Sequence, residues 1–142
     1  MIWTVPLVLQ AGLMAIDEFY FHRRRGLGRW ERLGHPCDTL AFLACCAVAA
    51  FLPPSAGTFY LFVAVLSCLI ITKDEFIHTQ LCDAREAWLH SLLFVLHPVV
   101  LYCLWHLKLD GSVAILQLQF LAVFSFFSFQ VVYWNGPWLP SK

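Results

Sequence analysis

The sequence holds only six histidines and nine acids in 142 residues, yet imidazoles recur beside carboxylates at helical spacings. Glu18 precedes His22 by four residues, Glu31 precedes His35 by four, and Glu86 precedes His90 by four. Glu75 and Asp74 precede His78 by three and four. On a helix each spacing sets its pair on a shared face. Glu86, His90 and His97 fall within about 40° of one another, and Asp83 lies about 60° from Glu86. Four carboxylates and four imidazoles drawn from four helices suit a pair of metal ions. Carboxylates bridge and neutralise cations, and imidazoles complete the coordination. The candidate ligands are Glu18, His22, Glu31, His35, Glu75, His78, Glu86 and His90, with Asp38, Asp74, Asp83 and His97 as possible additions. Asp17 lies about 140° from His22 on an α-helix and is expected to be dispensable.

The ligands come in two matched sets. DEFYFH (17–22) is followed by RRRGLGRW and ERLGH, and DEFIH (74–78) by TQLCDAR and EAWLH. Each half closes an apolar run with acids and a histidine, then offers Glu-x-x-x-His after a short break. Two helical hairpins (1–55 and 57–107) of the same orientation would be related by an axis along the membrane normal, as in parallel repeats of membrane proteins. Gly34 and Pro36 flank His35, and Pro disfavours a helical residue before it. Glu31 is therefore expected on a short interfacial segment, with Asp38 able to replace it.

Such a kit must be carried by membrane helices. The chain is 61% hydrophobic and 13% charged, with a mean hydropathy of +0.73. Apolar runs at 2–21, 37–54, 57–77, 87–107 and 112–134 each approach the roughly 20 residues that span a bilayer. The fold expected is all-α, a polytopic membrane bundle of five helices in a single domain (1–142), four of them in the repeated hairpins. A soluble bundle would need far more polar surface. The first run has no basic residue before it, unlike a signal peptide. Arg23, Arg24 and Arg25 follow it instead, so it is expected to be retained.

With five spans, Arg23, Arg24, Arg25, Arg29, Arg32, Lys73, Arg85 and Lys142 share one side, and only Lys108 lies on the other. Cytoplasmic loops are enriched in Lys and Arg, so the N-terminus is expected outside, and the C-terminus and the site on the cytoplasmic side. The basic loop would meet anionic lipid headgroups. Zero formal net charge gives no reason to expect nucleic acid. The six cysteines form no CxxC pair and read as small apolar residues rather than disulfide partners. The fifth run has no ionisable residue. Its phenylalanines should pack on lipid or the bundle, with Ser125, Ser128 and Gln130 supporting the site. The closing YWNGPWLP reads as an interfacial anchor.

In arrangement, residues 17–97 resemble integral-membrane di-iron oxygenases and desaturases, which gather histidines and acids at the cytoplasmic mouth of a helical bundle. The HxxxH and HxxHH boxes of those families are missing. Soluble di-iron bundles use Glu-x-x-His, the spacing of Glu75–His78. The resemblance implies two metal ions, with iron favoured over manganese or zinc. It also implies hydroxylation or desaturation of a lipid-like substrate, and electrons from a cytoplasmic donor. The residues leave other readings open. Histidines on three spans could hold haem b or serve a quinone protein, acids and histidines could form an ion pathway, or the chain could be a non-enzymatic metal-binding subunit of a membrane complex.

Overall fold

A computed structural model describes residues 2–74 and 81–136, and these form helices and short connections without a strand. Five helices are long and apolar enough to cross a membrane: α1 (Ile2–Arg25), α2 (Arg29–Phe51), α3 (Pro54–Ile71), α4 (Ala84–Leu109) and α5 (Val113–Asn135). Their surfaces invert the pattern of a soluble protein. Val8, Leu61, Phe62, Val95 and Leu118 are exposed, while Asp17, Glu18, His22, Glu31, Glu86 and His90 are buried. Exposed apolar area on this scale marks a surface made for lipid.

α2 is the most buried helix. Its Cys45, Cys46, Ala49 and Ala50 are small and buried, which lets neighbouring backbones approach as membrane helices commonly do. α2 packs mainly on α5 and α3, and α1 mainly on α4. The strongest packing therefore runs to the fifth helix and between the two expected hairpins rather than within them. All six cysteines are free.

Two boundaries differ from the sequence reading. α2 starts at Arg29 rather than near 37, so Glu31 lies in its first turn. Pro36 sits inside this helix and cannot donate to the Arg32 carbonyl. The Asn135 side chain approaches that carbonyl at 3.5 Å, and the helix continues. The second difference is in α1. Residues Asp17–His22, the phrase DEFYFH, wind as a π-helix between α-helical segments. Hydrogen bonding there runs from i to i+5. The chain then turns at Gly26, whose φ of 76° is one that glycine adopts without steric cost.

Candidate metal centre

The wide turn decides which side chains meet. In an α-helix Asp17 would point away from His22. In the π-helix residues five apart share a face, and His22 Nε2 lies 3.3 Å from Asp17 Oδ2. The expectation that Asp17 points away from His22 is corrected. From α4, His90 Nε2 donates to Asp17 Oδ1 at 2.9 Å, and Glu86 Oε1 lies 3.7 Å from His22 Nε2. Asp17, His22, Glu86 and His90 are all buried and each offers a ligand atom within 4.8 Å of the others. With metal–ligand distances of about 2.0–2.2 Å, tetrahedral ligands stand about 3.4 Å apart, so the cluster would contract to hold an ion. Both ring nitrogens of His22 are buried without a hydrogen bond of good geometry, although carboxylates surround the ring. Buried polar atoms are rarely left so.

Glu18 faces the opposite edge of the same imidazole, with Oε2 3.8 Å from His22 Nδ1. α5 fixes it. Gln130 Nε2 donates to Glu18 Oε2 at 2.9 Å, Trp134 Nε1 donates to Oε1, and Thr39 donates to Gln130 Oε1 at 2.7 Å. Gln130 thus supports the site as the sequence suggested, whereas the hydroxyls of Ser125 and Ser128 turn back to Leu121 and Phe124 carbonyls. Trp134 does not behave as an interfacial anchor: it is buried against a carboxylate.

Glu31 lies beside the cluster in the grip of Arg25. The guanidinium donates to both Glu31 oxygens at 3.0 and 2.7 Å and to Glu86 Oε1 at 2.9 Å through Nη2. The Gly28 N–H adds a bond to Glu31 at 3.0 Å. The matched glutamates of the two sequence halves therefore meet on one guanidinium. The matched histidines flank one imidazole, with His35 and His90 ring centroids 4.6 and 6.1 Å from that of His22.

The other candidates lie further out. Asp38 accepts from Lys73 Nζ at 2.6 Å. Asp83 is exposed and caps α4, accepting from the Arg85 and Glu86 N–H groups at 2.8 and 2.9 Å. Those bonds, the Glu86 one first, hold its carboxyl below the ordinary aspartate range. His97 is held at both nitrogens, 3.3 Å from Gln10 Nε2 and 2.9 Å from Ser67 Oγ. Glu75, His78 and the Asp74 side chain lie outside the described residues.

A partly open cavity runs from the cluster past Asp38, Thr39 and Phe42 to Gln10 and His97. One end carries carboxylates and imidazoles, and the walls are mostly apolar. Of the four buried carboxylates, Glu31 and Glu86 pair with the Arg25 guanidinium, while Asp17 and Glu18 face histidines, Gln130 and Trp134. Unpaired buried charge costs several kcal/mol per ion, so the site calls for positive charge on its histidines or on a bound cation. The ligand set of two oxygens and two imidazoles fits a first-row transition metal. Sequence reasoning missed Asp17 and Arg25. The acid pair in DEFYFH and the arginine run after it were the available signals, but helical phase concealed the first. A comparison with protein-family models, curated proteins and solved structures finds no match to this chain.

Proposed function

We propose that the chain is a metal-dependent membrane oxidoreductase acting on a lipid-like substrate, with an ion held by Asp17, His22, Glu86 and His90. The observation that carries this reading is the convergence of four buried ligand atoms within 4.8 Å at the end of a mostly apolar cavity. Iron is favoured over manganese or zinc, and it would supply dioxygen activation. Hydroxylation would convert C–H to C–OH, consume dioxygen and two electrons with two protons, and release water. The electrons would come from a cytoplasmic donor. The protein's own part is to exclude water, hold the ligands in place and admit the chain. Glu18 would hold the Nδ1 edge of His22, and Arg25 would restrain Glu86. The arginine-rich end would face the cytoplasm, by the excess of basic residues there.

Described residues supply ligands for one ion. A second would draw on Glu75 and His78, so the expected content is one or two metals per chain. Haem is disfavoured by a particular contact: the Asp17 carboxylate stands between His22 and His90, 3.3 and 2.9 Å from their Nε2 atoms, where a porphyrin plane would have to pass.

Elemental analysis of the purified protein tests the reading. Iron or manganese at one or two per chain should fall by at least one in Asp17→Asn and His22→Ala and stay unchanged in Asp38→Asn. Metal-free protein without a pigment would sink it in favour of an accessory role. An intense Soret band would install haem instead.

A further inference from the structure

A second cavity lies beside the first. It follows the seam between α1 and α5 and is partly open. Leu7 and Gln119 line its outer end, and the Phe19 and Phe129 rings meet at 5.2 Å towards the arginine-rich end. Ala11 and Ala122 line it from the two facing helices, and both are exposed. The seam therefore opens sideways onto the surface that would face lipid.

The two cavities share Gln10, Met14, Phe42 and Phe126. Gln10 is 5% exposed, and its Oε1 has no hydrogen-bond partner. Its Nε2 is engaged with His97 Nδ1 at 3.3 Å. An unpaired amide oxygen in an apolar surround is destabilising. A donor arriving from the groove would remove that cost.

We propose that the α1–α5 groove binds the hydrocarbon chain of a hydroxyl-bearing lipid that enters sideways from the bilayer and donates its hydroxyl to Gln10 Oε1. That the lipid is also the substrate rests on the oxidoreductase reading; its binding does not. Apolar walls suit methylene groups, and a groove opening in the membrane-spanning region meets chains rather than soluble molecules. Gln10 lies seven residues before Asp17, or about 10 Å along the helix. The anchored hydroxyl would hold the chain at a fixed distance from the ligand cluster.

The test uses full-length protein stripped with a chelator, so the outcome is independent of any metal. Radiolabelled 1-hexadecanol and hexadecyl methyl ether are the probes, in detergent micelles. Wild type should bind the alcohol about tenfold more tightly than the ether, the worth of one hydrogen bond to a buried acceptor. Gln10→Leu should bring the two probes level. Ala11→Trp and Ala122→Trp should each weaken both probes by at least tenfold while keeping their melting temperatures. Equal binding of alcohol and ether by wild type would overturn the Gln10 contact. Undiminished binding in both tryptophan variants would overturn the groove. Loss of metal in Asp17→Asn with alcohol binding intact would uphold both readings separately.

Discussion

Arg25 is the residue on which the charge balance of the site turns. It grips Glu31 through two oxygens and reaches Glu86 from the same nitrogen, at 2.7 and 2.9 Å. Removing one partner of a buried pair leaves the other charged, desolvated and unpaired, which typically costs about 3–5 kcal/mol. Arg25→Gln should therefore melt well below wild type when metal-free. A bound cation would supply part of the missing charge, and a ligand that binds only the folded state raises stability by mass action. The rise in melting temperature on adding ferrous or manganous ion should be larger in Arg25→Gln than in wild type. An equal rise in both would show that Arg25 does not share its carboxylates with the ion. None of this was legible in the spacing rules, because Arg25 is three residues past His22 on an apparent cytoplasmic fringe. A charge run next to a membrane helix reads as a lipid contact until a buried carboxylate is found opposite it.

At the scale of elements, the π turn is equivalent to one extra residue in a helix. The spacing of five between Asp17 and His22 shares a face only while that turn persists. Deleting Tyr20, which is exposed, gives a spacing of four, and four α-helical residues leave the pair about 40° apart. Metal content should survive this deletion. Inserting an alanine after Tyr20 gives a spacing of six, about 120° apart in an α-helix, and should abolish it. If both variants keep metal, Asp17 is not a ligand. This turn also explains the limit of the sequence reading. Five spans were legible from hydropathy because bilayer thickness fixes helix length, and Glu86–His90 was legible because α4 is regular. Asp17 was hidden because the angle per residue changes inside DEFYFH. The early start of α2 was hidden because Pro36 argues against it, and Asn135, a hundred residues away in sequence, meets the freed carbonyl.

α4 offers an independent test at its N-terminus. Asp83 accepts from two backbone N–H groups there, and its folded pKa lies below the ordinary value of 3.8. The lowered value means that the cap stabilises fully above the unfolded pKa and fades as pH falls through the folded one. The gap in melting temperature between wild type and Asp83→Ala should be steady from neutral pH to about 5, then narrow below about 4. Asp83→Asn, whose amide oxygen also caps, should show no such pH dependence relative to Asp83→Ala. A gap that widens on acidification would mean that Asp83 acts through something other than its charge.

At the scale of the whole molecule, the arrangement concentrates acids, imidazoles and bases at one end of the bundle and leaves the other end nearly uncharged. Buried carboxylates from α1, α2 and α4 meet there, and α5 closes over them through Gln130 and Trp134. On the proposed oxidoreductase reading, this asymmetry would make orientation part of the function. Electrons would reach the cluster from a soluble donor only if that end faced the donor's compartment, and lipid would enter from the bilayer beside it. Among the described residues, seven basic side chains at the cluster end against Lys108 at the other favour the cytoplasm. An epitope at the N-terminus should be cleaved by protease added outside intact cells, and one at the C-terminus should be protected until the cells are opened. Moving charge should move the protein. Replacing Arg23, Arg24 and Arg29 with glutamine, while adding three lysines before Ile2, should produce a population with the N-terminal epitope protected. Arg25 stays in this variant, so the cluster keeps its clamp. If the wild-type N-terminus is the protected end, the ligands face away from the cytoplasm, and a cytoplasmic electron donor is ruled out even where the metal is bound as proposed.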